Sequence, residues 1–593
     1  MFDRSLYLRA AQDLRPNAGQ WDAYNSKGHC VVLAGPGSGK TKTLTVKLAR
    51  MLAEDVKDPR GIACVTYNTE CARELEQRLA SLGVEPGGRV FVGTVHSFSL
   101  TQIVLPYAKV AKLGLPDGFT VATDYQQRVA LENAFKRAIG GPENPQNWKL
   151  PMDRHRRSIL NRDSKAWKER DPDLSGLVEE YEKELRAQGV IDFEDMPLLA
   201  MRALRDNEWL RKAILAKYPI LAIDEYQDLG RPLHRMVLGL CFSTGIRLFA
   251  VGDVDQSIYG FTGAYPELLK ELAEREDVQE VRLKLNYRCG SRIVTASEYA
   301  LGEERGYAAP DDAEEGTIYF HPQDGRYEDH AAFLFGELLP VVTKRIPDLM
   351  LGKIAVLYPE AWLGDYVAEA AQEHGFDTIR TDKNALYPRS IPLMRWLERC
   401  AVWCCDGWKS GKPRFARIIA EGARIFAETL PTQEARVAFR RNVLKLLWDR
   451  REGTARLHDW LCGMRKELVA PLISGSRTLA EQGEVLDAFI DRTAPDGDAS
   501  EMTLGLFAGF GEGNARINLS TLHSAKGREF EVVFMFGMDE GRIPRKNADA
   551  LGLKEARRLF YVGFTRTESE LHLIFSANSP SRFVSEVQQR LEE

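Results

Sequence analysis

The segment HCVVLAGPGSGKTKTLTVKLARML constrains the fold of this chain more than any other. An apolar, β-branched stretch precedes a glycine-rich turn, and apolar residues at three- and four-residue spacing follow it. The pattern predicts a strand, a loop and a helix, the setting of a P-loop. Gly35, Gly37 and Gly39 let the backbone amides turn toward a phosphate. Lys40 then reaches the β- and γ-phosphates, and Thr41 offers a hydroxyl to Mg²⁺, so the segment predicts a nucleoside triphosphate site.

A second apolar stretch, YPILAID, ends at Asp224, and Glu225 follows it. Because the strands of a doubly wound sheet end at one crevice, these carboxylates are expected beside the P-loop. Asp224 is then placed to hold Mg²⁺, and Glu225 to polarise an attacking water molecule. Alone, an Asp-Glu pair after a strand is more often a solvated turn. Downstream of a P-loop, it predicts a hydrolysis site.

A third apolar stretch, RLFAVGDVDQSIYGF, places Gln256 in the loop beyond its end. A neutral amide at this position can contact a γ-phosphate and sense whether the phosphate is present. The loop therefore predicts a nucleotide-dependent switch.

The composition predicts a protein of several domains. With 593 residues, of which 44% are hydrophobic, the chain is too long for one compact domain. Its net charge of −5 neither supports nor excludes nucleic-acid binding, which would depend on local basic surface. The nine cysteines show no paired C-x-x-C spacing, which favours reduced thiols in the cytoplasm, and Cys400, Cys404 and Cys405 are expected in an apolar core. No apolar run is long enough to span a membrane, and the acidic residues near the start do not fit a leader peptide.

The chain contains six sequence blocks in the order GPGSGKT, IDEYQD, GDVDQSIYG, LNYRCGSRIV, TLHSAKGREFEVVF and RRLFYVGFTR. Their order and spacing resemble those of the UvrD/Rep/PcrA-like superfamily 1A DNA helicases. The resemblance spans nearly the whole chain. It implies an α/β fold of two RecA-like P-loop motor domains that face each other across the nucleotide, each with an inserted, mainly helical subdomain.

The resemblance and the helical patterning together predict four segments. The first motor domain comprises residues 1–98 and 191–284, and its helical insertion comprises residues 99–190. The second motor domain comprises residues 285–384 and 516–593, and a reduced helical insertion comprises residues 385–515.

The resemblance also assigns further residues to the ATP and Mg²⁺ site. Gln20 resembles the family's adenine-reading glutamine, and Tyr287 resembles the residue that stacks on adenine. The alternative interpretation of Tyr287 is a half-buried aromatic side chain of the core. Arg288 and Arg566 match arginine fingers, which offset γ-phosphate charge when the cleft closes. The remaining matches contact the nucleotide or its phosphates and are Ser38, Lys42, Gly527 and Glu529.

Single-strand motors hold DNA with aromatic platforms and polar groups directed at its backbone. The positions that match DNA-contacting residues of the family are Tyr67, Thr94, His96, Phe261, Thr521 and His523. A lone histidine on such a segment would more often be structural. Phe261-Thr262 stands where the family usually has Trp-Arg, and Glu70 where it has lysine. Both departures remove stacking surface or positive charge, which weakens the expected grip on the strand.

Two basic stretches in the insertions are candidates to compensate for that loss. Residues 149–170 contain Arg154, Arg156, Arg157, Arg162, Lys165 and Lys168 beside Trp148 and Trp167. Residues 434–451 contain Arg436, Arg440, Arg441, Lys445, Arg450 and Arg451 around a predicted apolar face of Val437, Leu444 and Leu447. For both stretches, a solvated charged helix face is at least as good an interpretation as binding to strand or duplex.

The resemblance implies an ATP-dependent DNA helicase or translocase. It would move 3′ to 5′ on single-stranded DNA and unwind duplex at single-strand/double-strand junctions, in repair, replication, recombination or phage defence. The alternative is a DNA-stimulated ATPase that moves or switches without unwinding, as a regulatory subunit of a nuclease or remodelling complex. A P-loop kinase or transporter ATPase does not explain TLHSAKG or the two distal arginines. The sequence does not identify a protein partner.

Overall fold

Parallel β-strands that alternate with helices dominate the computed structural model, which describes residues 4–67, 69–84, 88–159, 162, 164–260, 263–512 and 515–593. The described strands are β1 (His29–Ala34), β2 (Ile62–Thr66), β3 (Val90–Thr94), β4 (Thr120–Val121), β5 (Val190–Ile191), β6 (Ile220–Ile223), β7 (Arg247–Gly252), β8 (Val278–Leu283), β9 (Thr317–Gln323), β10 (Ile354–Tyr358), β11 (Thr378–Arg380), β12 (Ile517–Thr521), β13 (Phe530–Phe536) and β14 (Thr567–Ser576).

Helices connect and cover these strands. The first half of the chain contributes α1 (Arg4–Gln12), α2 (Ala18–Asn25), α3 (Lys40–Glu54), α4 (Thr69–Ser81), α5 (Val95–Phe98), α6 (Leu105–Tyr107), α7 (Asp124–Ala138), α8 (Lys149–Ser158), α9 (Lys165–Arg170), α10 (Pro172–Ala187), α11 (Asp195–Asp206), α12 (Glu208–Lys217), α13 (Arg231–Leu238), α14 (Glu267–Ala273) and α15 (Ser291–Leu301). The second half contributes α16 (Tyr327–Phe333), α17 (Leu339–Arg345), α18 (Leu363–Glu373), α19 (Pro392–Val402), α20 (Trp408–Ser410), α21 (Phe415–Ile425), α22 (Gln433–Asp449), α23 (Leu457–Met464), α24 (Ala470–Ser474), α25 (Ala480–Thr493), α26 (Leu504–Glu512), α27 (Ala550–Phe564) and α28 (Arg582–Glu592).

Short 3₁₀ and π-type turns extend several of these helices. The 3₁₀ turns are Pro145–Trp148, Tyr226–Asp228, Val254–Gln256 and Leu351–Lys353, and the π-type turns are Ser99–Val104, Gly239–Ser243, Leu334–Leu338, Trp403–Gly407 and Arg465–Val469.

The first sheet has the strand order β3-β2-β6-β7-β1-β8, and every neighbouring pair is parallel. Its central strands are almost completely buried, as expected for a parallel sheet covered by helices on both faces. One face packs on the helices around α11 and α13, and the other on α3 and α4. The strands predicted from HCVVLA, YPILAID and RLFAVG are confirmed as β1, β6 and β7.

The second sheet has the strand order β11-β12-β10-β13-β14-β9, again parallel throughout. Strands β9, β10 and β11 do not pair with one another. Each instead pairs with a strand from residues 517–576, so the late segments of the chain hold the early ones together. Two parallel sheets with helical covers confirm the predicted α/β class.

The segments between the sheet strands are mainly helical. Helices α7, α9 and α10 enclose one apolar core, and the short parallel pair of β4 with β5 lies at its edge. Helices α19 to α26 enclose another core, around Trp396, Trp460 and Phe489. Cys400 and Cys404 are buried in this core as predicted, and Cys405 is partly buried. Among the helices that the structure describes, none combines the length and the apolar character that a bilayer crossing requires.

Candidate functional site

The P-loop follows β1 at the centre of the first sheet. Gly37 and Gly39 adopt φ of +65° and +77°, which side chains with a Cβ rarely adopt. The space is also occupied, since a Cβ on Gly37 would lie 2.1 Å from Oδ1 of Asn286. Helix α3 begins at Lys40, so its N-terminal amides face the crevice where a phosphate binds. The Lys40 ammonium lies 3.4 Å from the buried Asp253 carboxylate and 3.3 Å from the Gly35 carbonyl.

Asp224 and Glu225 follow β6, the second strand over from β1 in the same sheet. Both carboxylates are buried. Burial, reinforced by the charge of Glu225, raises the pKa of Asp224 to about 7. Burial also opposes ionisation of Glu225, but the positive charges of Lys526 and Lys40 prevail and lower its pKa to about 2. Glu225 is therefore held ionised beside the P-loop, which is the state that a water-polarising carboxylate needs.

Lys526, from the second half of the chain, enters this cluster of carboxylates. Its ammonium lies 2.5 Å from Asp228 and 3.4 Å from Glu225, and it donates to the Gln256 carbonyl at 2.8 Å. The side chain is almost completely buried, and the two carboxylates raise its pKa despite that burial. Sequence reasoning missed Lys526 as a site residue, although it lies inside the quoted block TLHSAKG between the assigned His523 and Gly527.

Gln256 and Arg566 meet across the same cleft. An Nη2 of the buried Arg566 donates to Oε1 of Gln256 at 3.2 Å, so the predicted γ-phosphate sensor and a predicted arginine finger are in direct contact. Burial, followed by repulsion from Arg288, lowers the pKa of Arg566 to about 10. The guanidinium remains charged at neutral pH and is poorly solvated, which strengthens its attraction to an anion.

Arg288 lies beside the P-loop but is held within its own half of the chain. Its Nε donates to Glu529 at 2.9 Å and its Nη1 to the Thr565 carbonyl at 3.2 Å. Glu529 is therefore engaged by an arginine, whereas the resemblance placed it near a ribose. Gly527 adopts φ of +82° in the turn before Glu529. The structure thus brings Arg288, Glu529 and Arg566 together at the cleft.

Gln20, Tyr287 and Lys42 lie at the outer end of the P-loop. The buried Gln20 donates from Nε2 to the Ser38 carbonyl at 2.9 Å, and the Tyr287 amide donates to the Gly37 carbonyl at 2.8 Å. The Tyr287 side chain is 49% exposed, so about half of its surface is accessible to a ligand. Lys42 is partly exposed and lies 3.7 Å from Asp13.

The oxygen donors near the P-loop suit a magnesium ion. Thr41 is the second residue of α3, and Asp224 is buried beside another carboxylate. A divalent cation between them would relieve the like-charge repulsion that raises the pKa of Asp224. Hydroxyl and carboxylate oxygens are also the ligands that Mg²⁺ prefers. The residues present therefore fit the predicted ion.

The predicted DNA-contacting residues lie at the carboxyl ends of strands. Tyr67 follows β2, and Thr94 ends the neighbouring β3. The Tyr67 ring lies 5.2 Å from the Tyr259 ring, and the Lys526 ammonium lies 5.3 Å from that second ring. The Thr94 hydroxyl accepts from the Ser97 amide and so caps helix α5.

The other candidates are partly engaged in local contacts. His96 packs on Phe193, with ring centroids 5.1 Å apart. Thr521 ends β12, and its hydroxyl donates to Ser524 at 3.0 Å. Burial lowers the pKa of His523 to about 4, so its ring is neutral at physiological pH. Phe261, Thr262 and the Glu70 side chain lie outside the described residues.

The structure corrects the interpretation of residues 149–170. Arg156 is fully buried and binds Asp192 at 2.7 Å and Asp195 at 3.1 Å. Trp167 is also fully buried, and Arg162 lies over its ring at 3.8 Å. Arg156 ties α8 to the residues at the start of α11, and Trp167 packs in the core of the insertion, so neither side chain is available to a nucleic acid.

The apolar face predicted for α22 is also wrong. Val437 and Leu444 are 49% and 43% exposed, whereas Leu447 is buried. The buried face of this helix instead consists of Phe439, Val443, Leu446 and Leu447. The error arose because the apolar residues of α22 occupy more than one face, and sequence alone does not show which face the neighbouring helices cover.

Comparisons with known proteins agree with this geometry. Residues 16–277 match the model of the UvrD/REP helicase N-terminal domain, and residues 508–578 match that of the UvrD-like helicase C-terminal domain. The chain is 28% identical to the ATP-dependent DNA helicase Rep of Escherichia coli, over 97% of this chain and 94% of that protein. It is 24% identical to the ATP-dependent DNA helicase PcrA of Bacillus subtilis, over 95% of this chain and 84% of that protein.

Proposed function

Because the chain belongs to the UvrD/Rep helicase family, we propose that it is an ATP-driven motor that moves 3′ to 5′ along single-stranded DNA and separates duplex. In this proposal, residues 1–98 and 191–284 form one motor domain and residues 285–384 and 516–593 the other. Residues 99–190 and 385–515 are their helical insertions. The names of the relatives support DNA helicase activity, and the direction follows the resemblance of the six sequence blocks.

One observation carries the proposal. Cationic side chains of the second half enter the hydrolysis site of the first half, with Lys526 on Asp228 and Arg566 on Gln256. A simple nucleotide-binding domain does not need such contacts. They make the geometry of the hydrolysis site depend on how the two halves are arranged, which is the requirement for converting hydrolysis into movement.

The residues act on ATP in distinct ways. Lys40 and the P-loop amides bind the β- and γ-phosphates, and the ionised Glu225 orients the attacking water and accepts its proton. Thr41 and Asp224 hold the magnesium ion, which when bound neutralises phosphate charge. Arg566 and Arg288 stabilise the negative charge that develops on the transferred phosphoryl group.

Outside the phosphate region, Tyr287 supports the adenine ring, with Gln20 and Lys42 beside it. Tyr67, Thr94, His96, Phe261, Thr521 and His523 form the track for single-stranded DNA. Tyr67, Tyr259 and Lys526 are in successive contact, so a strand that displaces Tyr67 would also disturb the cation that holds Glu225 ionised.

The proposal is tested by ATP hydrolysis with and without single-stranded DNA, followed by strand displacement from 3′-tailed and 5′-tailed duplexes. We expect DNA to stimulate hydrolysis, and displacement to occur from the 3′-tailed duplex. Lys40→Ala should abolish both, whereas Lys212→Ala, at an exposed position whose ion pair lies within helix α12, should leave both unchanged. Stimulated hydrolysis without displacement would favour the alternative of a DNA-gated ATPase that serves a partner nuclease or remodelling complex. The absence of stimulation would overturn both.

A further inference from the structure

A cleft of about 740 Å³ lies between helix α4, which packs on the first sheet, and the second insertion. Helices α19 and α21 form its opposite wall, and Gly93, Thr94 and Ser97 lie at its edge. Thr94 is a predicted DNA-contacting residue, so the cleft adjoins the proposed track. Its volume is within the range of about 300–1,000 Å³ that is typical of ligand-binding clefts.

The lining of the cleft is strongly basic. Five arginines and two glutamates line it, and they are Arg73, Arg395, Arg399, Arg417, Arg424, Glu76 and Glu421. Each helix presents them at the three-, four- or seven-residue spacing of a single face. This excess of positive charge contrasts with the net charge of −5 of the whole chain. It supplies the local basic surface that nucleic-acid binding by a chain of negative net charge requires.

The arginines are held in ways that an incoming anion can replace. Arg424 bridges the cleft to Glu76 at 2.6 Å, and Arg417 lies 3.2 Å from Glu421. The two guanidinium side chains are 49% and 54% exposed and their carboxylate partners 27% and 17%, so both arginines remain accessible to an incoming anion and solvent screens each pair in part. Glu421 also binds Arg399, so one carboxylate serves two arginines. Arg73 has no ion pair with any residue that the structure describes.

We propose that this cleft binds the phosphodiester backbone of the single strand beyond Thr94, with Arg395, Arg417 and Arg424 as its phosphate contacts. The inference rests on the proposed function. Arginine forks match phosphate oxygens in charge and geometry, and hydroxyl and amide groups of Thr69, Ser97, Gln77 and Gln482 line the same space. The ion pair of Arg424 with Glu76 spans the cleft. A phosphate that replaces Glu76 on Arg424 joins the second insertion to the first sheet through the strand.

The first test compares the variant Arg395→Gln/Arg417→Gln with wild type in binding oligodeoxythymidylates of increasing length, between about 50 and 200 mM NaCl. Each phosphate contact with a single strand contributes roughly 0.7 to the slope of log K against log salt, so the variant should lose about 1.4 for long strands. Short strands, which occupy the track alone, should bind equally to both proteins. Arg326→Gln/Arg465→Gln removes two ion-paired surface arginines outside the cleft and should keep the wild-type slope.

The second test changes the affinity in the opposite direction. Glu76→Gln removes the carboxylate that competes for Arg424, so long strands should bind more tightly than to wild type, and a folding defect cannot produce that result. An unchanged slope in the arginine variant together with unchanged affinity in Glu76→Gln would overturn the cleft proposal. Wild-type ATP hydrolysis that DNA stimulates would then leave the proposed function standing. Equal loss of short-strand binding would assign the arginines to general folding or to the track, and would also overturn the cleft proposal.

Discussion

Replacing Lys526 by methionine tests whether the contact between the two halves depends on a buried charge. Methionine keeps an unbranched apolar side chain one atom shorter than that of lysine, but Asp228 and Glu225 lose a cation at 2.5 and 3.4 Å. Removing one partner of a buried ion pair costs about 3–5 kcal/mol, because the remaining charge is neither solvated nor compensated. An exposed pair such as Lys554 with Glu267 contributes only about 0–1 kcal/mol. Lys526→Met should therefore destabilise the protein far more than Lys554→Met.

The cost should depend on pH. Burial raises the pKa of Asp228 to about 7 although Lys526 lowers it, so loss of the lysine raises that pKa further. A carboxyl whose pKa is higher in the folded than in the unfolded state favours folding less and less as pH rises through that range. The difference between Lys526→Met and wild type should accordingly be smaller at pH 6, where a proton neutralises Asp228, and larger at pH 8.

The assay is urea denaturation followed by circular dichroism and tryptophan fluorescence, with the first transition analysed because a multidomain chain need not unfold in one step. Asp228→Asn in the Lys526→Met background should recover part of the lost stability, since it removes the uncompensated carboxylate. A loss below about 1 kcal/mol, or no recovery in the double variant, would refute the conclusion that this buried pair stabilises the arrangement of the two halves.

Three further predictions concern single residues. Gly37→Ala should weaken ATP binding, because positive φ costs alanine about 1–2 kcal/mol and its Cβ would lie 2.1 Å from Asn286. Binding is measured with a fluorescent ATP analogue, and an unchanged affinity would contradict this geometry. Tyr287→Ala should lower ATP affinity roughly 5- to 150-fold by removing about 1–3 kcal/mol of stacking. The control Tyr287→Phe keeps the ring and loses only the hydrogen bond from Asn17. Similar ATP affinities for the two variants would exclude stacking. Arg156→Met should reduce the free energy of unfolding by about 3–5 kcal/mol in urea denaturation, because it leaves Asp192 without its buried partner. It should not change the dependence of DNA affinity on salt concentration. A weaker dependence on salt would show that Arg156 contacts DNA.

The arrangement of the candidate nucleotide site was largely predictable from sequence because its signals are local. A β-branched run followed by GPGSGKT places the phosphate loop, and the polar residues after β6 and β7 reach the same crevice because parallel strands end at one edge. The predictions for β1, β6 and β7 therefore depended on residues that are adjacent in the chain.

Long-range partners were not predictable in the same way. Lys526 is separated from Asp228 by nearly half the chain, and no periodic pattern pairs them. Arg156 was assigned to a basic surface because its neighbours in sequence are basic, but its neighbours in space are carboxylates from α10 and from residues 192–195. The cleft arginines were missed because each of them, taken alone, is an ordinary charge on a helix.

The strand order of the second sheet has a consequence for how the protein is made. Strands β9, β10 and β11 do not pair with one another, and each pairs only with β12, β13 or β14, which are translated later. The first sheet, in contrast, is complete once residue 283 has emerged from the ribosome. At about 5–20 residues per second, translation from the end of β11 to the end of β14 takes roughly 10–40 s. During that interval β9 stays unpaired until β14 is made, whereas β10 and β11 gain β12 as a partner once residue 521 has been translated. The nascent chain therefore carries the most unpaired strands, and is most exposed to aggregation, between the end of β11 and the end of β12.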